Sequence, residues 1–264
     1  EITTRLVGSE MCIRDSLITG ASSGIGRDMA RYLSSKGAEL ILVSRNTQKL
    51  EQLKKSIKTR AEIIPCNLAD ENEVFELYNK CRSKNIDFLI NNAGYGLFGE
   101  FDKTDLRDEL DMINVNIKAL HILTKLFLRD FRKRDHGRIL NVASSAGFMT
   151  GPLMSSYYAS KNYVVRLTLA IREELRRAGS NVKISVFCPG PVDTNFNNRA
   201  GVVFSVKSIT SEYAAKYAID KCFSGKAVIV PTLEMKLGII GSKLVPDGLL
   251  SAVAYNIQHS KKKN

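Results

Sequence analysis

Short, almost wholly apolar runs recur along this chain, and each is followed by a stretch with helical or turn character. Leu17-Ile18-Thr19, Leu40 to Val43, Glu62 to Cys66, Phe88-Leu89-Ile90, Arg138 to Val142, Val182 to Phe187 and Ala227 to Val230 make a set of seven. Strands of this kind are buried on both faces, which requires a parallel sheet covered by helices on each side. Helical spacing is clear over about Gly24 to Lys36, Lys49 to Thr59 and Thr104 to Arg134. In the last of these, Leu106, Leu110, Ile113, Ile117 and Leu120 form one apolar stripe, as core burial or contact with a second copy would require. No repeat or linker interrupts the alternation. The pattern predicts one doubly wound α/β domain with about seven parallel strands and helices on both faces.

Lys and Arg number 39 against 27 Asp and Glu, a net charge of +12. The basic residues are spread along helix-like stretches such as Lys49 to Arg60 and Arg172 to Arg177. No zinc-finger spacing or aromatic RNA-binding signature accompanies them, so no nucleic acid is expected. A phosphorylated small molecule accounts equally well for the charge. Five cysteines (Cys12, Cys66, Cys81, Cys188, Cys222) lack paired spacing and only three histidines are present. That excludes a disulfide scaffold, gives no expectation of a metal, and points to a reduced, cytosolic compartment. No apolar run reaches the ~18 residues of a membrane-spanning helix.

Three segments depart from the alternation. Arg14, Asp15 and Ser16 stand where a buried strand should hold apolar residues, so residues 1–16 read as a non-native leader and 17–264 as the domain. Gly190 to Ser208 has no clear period and reads as a substrate loop. The C-terminal extension, Leu237 to Ile257, mixes apolar residues with flanking lysines. It fits a helix closing a substrate cleft better than contact with an anionic membrane surface.

Glycines mark the candidate site. Gly20-Ala21-Ser22-Ser23-Gly24 satisfies the G-x-S-x-G pattern of serine hydrolases, but no histidine follows a late strand to complete a triad. Gly94-x-Gly96-x-x-Gly99 follows the fourth strand with no helix opening within it, which makes it a weak match. Thr19-Gly20-Ala21-Ser22-Ser23-Gly24-Ile25-Gly26 instead ends the first strand and opens the first helix. Backbone amides and the helix dipole at such a place hold a pyrophosphate. Gly20 permits the tight turn, Gly24 lets phosphate approach, and Gly26 allows close helix–strand packing.

The T-G-x-x-x-G-x-G spacing resembles the short-chain dehydrogenase/reductase family in its classical form, a Rossmann fold. Asn91-Asn92-Ala93-Gly94, Asn116, Ser144-Ser145-Ala146-Gly147, Tyr157-Tyr158-Ala159-Ser160-Lys161 and Pro189-Gly190-Pro191-Val192-Asp193-Thr194 resemble further motifs of that family, in the same order. The resemblance implies an oxidoreductase that transfers hydride between a nicotinamide and a carbonyl or secondary alcohol. Asn116, Ser144, Tyr157 and Lys161 would be its catalytic residues. The cofactor would lie along Gly20, Ser22, Ser23, Gly24, Ile25, Gly26, Arg45, Asn67, Leu68, Asn92, Ala93, Gly94, Tyr157, Lys161, Pro189, Gly190, Val192 and Thr194. Relatives commonly form homodimers or homotetramers. A non-catalytic alternative, a nucleotide-binding redox sensor, has no use for Ser144, Tyr157 and Lys161.

Tyr157 and Lys161 are four apart, hence on one helix face. Tyr158 competes, but its neighbour at that spacing is the uncharged Asn162. Lowering a phenol from ~10 to about 7 takes roughly 4 kcal/mol. An ammonium about 5 Å away supplies roughly 3 kcal/mol at an effective dielectric of ~20, so charge alone nearly suffices. Ser144 would hydrogen-bond the substrate carbonyl, and Asn116, as the resemblance implies, would hold a water linking Lys161 to solvent; Ser145 and Asn114 are neighbouring candidates. The second strand ends Val43-Ser44-Arg45, with no acid to grip ribose hydroxyls. Arg45 suits a 2′-phosphate, so NADP(H) is expected over NAD(H). By the resemblance, Asn67 stands where an Asp usually contacts adenine, and Thr194 would hold the carboxamide. Phe98, Phe148, Met149, Leu153, Met154 and Phe196 predict an apolar cleft, suited to a 3-oxoacyl or steroid-like ketone.

Overall fold

Strand β1 (Asp15–Thr19) is an interior strand of a seven-stranded parallel sheet, in a computed structural model that describes residues 15–194 and 208–259. The strands lie in the order β3 (Ala61–Pro65), β2 (Glu39–Ser44), β1, β4 (Ile86–Asn91), β5 (Arg138–Val142), β6 (Lys183–Phe187) and β9 (Val228–Ile229). Alternate residues feed opposite layers, as the pleat dictates. Ile18, Leu42, Phe88, Ile90 and Leu140 pack beneath Met29, Ala30 and Leu33 of α1 (Gly24–Ser35) and Ala214, Ala215 and Ala218 of α7 (Ser211–Phe223). Leu17, Ile41, Val43, Leu89 and Ile139 pack on the other face, against Val74 and Leu77 of α3 (Glu71–Cys81) and Leu123, Phe127 and Phe131 of α5 (Leu120–Lys133). Seven strands in one domain with two helical layers agree with the expected architecture.

β1 begins two residues before the expected strand. Main-chain pairing with β2 and β4 does not depend on side-chain polarity, and Asp15 keeps partial access to solvent at the strand's open end. Ser16 is fully buried, and its Oγ has no partner among the described residues. α2 (Thr47–Ser56) follows β2, capped by Asn46, which accepts a hydrogen bond from the Lys49 amide at 2.9 Å. α3, which periodicity did not single out, starts at the Asp70 cap.

The long helix after β4 contains a break in register. α4 (Leu106–Ile113) runs into a π-helical turn at Asn114–Ala119 and continues as α5. The extra residue in each π hydrogen-bonded ring rotates the buried face. Glu109, Met112 and Asn116 point inward before and within the turn, and Leu120, Leu123 and Phe127 after it. The apolar stripe read from the sequence is therefore split: Leu120 is buried, whereas Leu106 and Leu110 are 68% and 49% exposed.

α6 (Ser155–Arg177) follows β5 after a short 3-10 turn at Ser145–Phe148. Its first turn is fixed from α4, where Ser156 Oγ donates to Glu109 Oε2 at 2.6 Å. Two short strands that the sequence did not predict, β7 (Val192–Asp193) and β8 (Ile209–Thr210), pair in parallel. The rest of the expected substrate loop, with Phe196, lies outside the described residues. The chain then forms α7, α8 (Leu233–Ser242) and α9 (Asp247–His259).

Candidate active site

The carboxyl ends of β1, β2, β4, β5 and β6 open on a single cleft of about 450 Å³. It lies where the strand order reverses between β1 and β4, the position at which open parallel sheets bind ligands. At its floor the chain leaves β1 through Gly20 with φ +68° and enters α1 through Gly24 with φ +52°. Both are left-handed conformations that side chains disfavour. A Cβ on Gly26 would stand 2.5 Å from the Gly20 carbonyl oxygen and 2.4 Å from Asn92 Nδ2. Ser23, the residue before α1, makes no side-chain cap, and the first turn contains no acid. The amides that open α1 thus face the cleft with the polarity that favours an anion.

Asn92 holds this turn in place. Its Nδ2 donates to the carbonyls of Thr19 and Gly20 at 3.0 and 3.3 Å. Thr19 Oγ1 accepts from the amides of Asn92 and Ala93 at 3.0 and 3.1 Å. Deeper down, Asn91 Nδ2 donates to Thr124 Oγ1 and Asn141 Oδ1, and Asn141 Nδ2 donates to Thr168 Oγ1. This buried chain ties β4, β5, α5 and α6 together below the site, although Asn91 Oδ1 has no partner among the described residues. No pattern in the sequence announced it.

Ser22, Ser23, Gly24, Ile25, Arg45, Asn67, Leu68, Ala93, Gly94, Ser144, Tyr157, Lys161, Pro189, Gly190, Val192 and Thr194 all line the cleft, with Gly20 and Asn92. Gly26 and Asn116 lie just behind its wall. Arg45 is exposed at the β2 end, where Ser44 Oγ donates to Ser22 Oγ at 2.8 Å. Lys49 joins it there from the first turn of α2, a second cation that sequence reasoning missed. Its position three residues past the Asn46 cap was the available signal. Among the described residues lining the cleft there is no Asp or Glu. Asn67 Oδ1 accepts from the Ala69 amide at 3.3 Å. A Cβ on Gly24 would touch Thr194 Cγ2 at 3.0 Å, so the turn and the P-G segment approach closely. The glycine cradle and the uncapped helix start fit the pyrophosphate of a nicotinamide dinucleotide.

At the other end, α6 presents Tyr157 and Lys161 on one face, both buried. The Ser144 and Tyr157 hydroxyls are hydrogen-bonded to each other. Lys161 Nζ donates to the Val142 carbonyl at 3.2 Å and lies 5.9 Å from the centre of the Tyr157 ring. Asn116, inside the π turn, donates to the Tyr95 carbonyl at 2.9 Å and to Ser160 Oγ at 3.1 Å, and accepts from the Tyr95 amide at 3.1 Å. A Cβ on Gly94 would stand 2.9 Å from Asn116 Oδ1 and 3.0 Å from Lys161 Nζ, so both side chains converge on that glycine.

The electrostatic expectation needs correction. Burial pushes the Tyr157 phenol up to about 12, against the lowering effect of the Ser144 hydrogen bond. Burial also pushes the Lys161 ammonium down to about 8, with Cys188 acting the other way. Desolvation of the phenolate exceeds what the Ser144 hydrogen bond returns. In the protein alone, Tyr157 is held as a neutral O–H donor.

The apolar wall is also smaller than expected. Of the described residues predicted for it, only Met154 lines the cleft. Phe98 packs with Met112, Met154 and Tyr157, whereas Phe148 belongs to the core near Val164. Tyr95, Tyr158 and Gln258 complete that end; Tyr158 is the competing tyrosine of the sequence pattern, and the other two were not foreseen as site residues.

The sequence pattern of the short chain dehydrogenase family matches residues 15–201, well over half of the chain. The 3-oxoacyl-[acyl-carrier-protein] reductase FabG of Rickettsia prowazekii is 31% identical over 186 residues, covering 70% of this chain and 76% of that protein. A short-chain dehydrogenase from Sphingobium yanoikuyae, solved with NADPH, superposes with a TM-score of 0.79 at 26% identity, covering 90% of this chain and 95% of the other. A short-chain dehydrogenase/reductase from Burkholderia phymatum, solved with NAD, gives the same TM-score at 23% identity over 88% and 93%, which speaks to the fold alone. The chain belongs to the short-chain dehydrogenase family of oxidoreductases.

Proposed function

We propose that the protein is an NADP(H)-dependent reductase of carbonyl groups on largely apolar substrates. The observation that carries this reading is the hydrogen-bonded Ser144–Tyr157 pair at one end of a cleft whose other end is cationic. The nicotinamide, when bound, supplies the hydride to the carbonyl carbon. The Ser144 hydroxyl donates to the carbonyl oxygen and fixes its position, a contribution of orientation. Tyr157 then gives its proton to that oxygen as negative charge develops there. A phenol raised by burial stays protonated at neutral pH, which favours the reducing direction. Lys161 stabilises the phenolate left behind, and Asn116 holds the backbone of Tyr95 beside it, with a water to solvent as the family resemblance implies.

Arg45 and Lys49 supply two cations for a 2′-phosphate, and no carboxylate among the described cleft residues competes for the ribose hydroxyls. Thr194 is assigned to the carboxamide and Asn67 to the adenine. The Rickettsia relative's name supports a 3-oxoacyl substrate. The four described cysteines are buried and unpaired, in keeping with a reduced cytosolic compartment. Exposed Leu106 and Leu110 support a homodimer or homotetramer. The test is a panel of ketones assayed with NADPH and with NADH by loss of nicotinamide absorbance. NADPH is expected to be preferred, and Arg45→Ala to weaken NADPH at least tenfold while leaving NADH nearly unchanged. Equal losses for both cofactors would remove the phosphate assignment.

A further inference from the structure

The substrate end of the cleft contains a buried amide that the proposed chemistry does not use. Gln258, in the last turn of α9, is 2% exposed and lines the cleft. Its Nε2 donates to Tyr158 Oη at 2.5 Å, and its Oε1 is buried with no partner among the described residues. Tyr158 is in edge-to-face contact with Tyr157, ring centres 6.0 Å apart. The free oxygen is thus tied, through one hydrogen bond and one ring contact, to the residue that gives the proton.

Its placement is built rather than incidental. Ser251, Ala254 and Gln258 are spaced to share one face of α9. Ser251 Oγ is hydrogen-bonded to Thr150 Oγ1 at 2.7 Å, and Ala254 is buried. These contacts hold the helix against the segment between the Ser145–Phe148 turn and α6, with Gln258 inward. A buried acceptor left unsatisfied is disfavoured, so native interiors rarely keep one without a purpose. Around it stand Tyr95, Met154, Tyr157 and Tyr158, and the cations of the cleft, Lys161 aside, lie at the Arg45 end. Lys161, bound to the Val142 carbonyl beside Tyr157, is the one cation among the described lining residues at this end.

We infer that Gln258 is a specificity-determining residue whose amide oxygen accepts a hydrogen bond from a neutral donor on the substrate. The preferred substrate is then a mostly apolar ketone with a hydroxyl or amide N–H set apart from the reacting carbonyl. This inference rests on the reductase reading of the same cleft. A site built around a buried polar group discriminates against an analogue that leaves that group unpaired more strongly than an apolar wall discriminates between methylenes.

The test uses the full chain, saturating NADPH, and ketones bearing a hydroxyl at increasing distance from the carbonyl. Each is paired with its deoxy and its methoxy counterpart. At the best spacing the hydroxyl ketone is expected to exceed both counterparts in kcat/KM by more than about 200-fold, the upper range for a single methylene in an apolar wall, chiefly through KM. Gln258→Met should abolish that ratio, with the NADPH Kd within twofold of wild type. The unchanged NADPH Kd also reports that the variant is folded. Turnover that depends on Tyr157 but shows no preference for any donor-bearing ketone overturns the inference and spares the reductase reading. Equal loss on hydroxyl and deoxy ketones in Gln258→Met also overturns it, because Gln258 would then only be packing α9. No turnover of any ketone overturns the reductase reading, and this inference with it.

Discussion

Tyr157 and Lys161 shift in opposite directions for one reason: the charged form of each loses water. Because Lys161 is held near about 8, its charge is lost as pH rises through that value. Tyr157, near about 12, keeps its proton over the same range. kcat/KM for NADPH, which reports the free protein, should therefore fall on a single limb above about pH 8, approaching tenfold per unit. Lys161→Arg keeps its charge throughout and should show a reduced rate with no such limb. A wild-type profile flat to pH 10 would contradict the assignment. The pairing of Tyr157 with Lys161 was legible because helical spacing is geometric. The depth of their burial was not, because it comes from Phe98 and Met112 packed around Tyr157 and from Val142 beside Lys161, which lie far away in sequence.

Among the elements, the contact between α1 and α7 is held by a buried carboxylate. Asp28 takes a bidentate hydrogen bond from Arg27 at 2.8 and 3.0 Å and another from Ser211 Oγ. Burial alone would raise its pKa, but these donors and the charges of Arg27 and Arg31 outweigh it and hold the carboxyl below its usual range. A depressed carboxylate contributes stability that is complete above the ordinary ~3.9 and fades as pH falls below it. Asp28→Asn should cost about 1–3 kcal/mol in denaturant unfolding at pH 7. The gap from wild type should close as pH falls toward 3, and a gap that stays constant would refute the role. Strand positions were readable from apolar runs, since both faces of each are covered. The face of α4 was not, because a π turn shifts the register without any marker in hydrophobic spacing. Leu106 and Leu110 emerged exposed as a result.

For the molecule as a whole, the order of the strands and the glycine turn after β1 bring six separate motifs to one edge of the sheet. Those motifs were visible one by one in the chain. Tyr95, Lys49 and Gln258 were not, because they reach the cleft through tertiary packing and carry no local pattern. The account depends on Tyr157 donating the proton to the carbonyl oxygen beside a bound nicotinamide. The direct test compares Tyr157→Phe with wild type in NADPH affinity and in the single-turnover rate of ketone reduction. The expected result is an unchanged NADPH Kd with a rate lower by about 10³-fold, within the range for loss of a general acid. A variant that binds NADPH normally and reduces the ketone within tenfold of wild type would contradict the account.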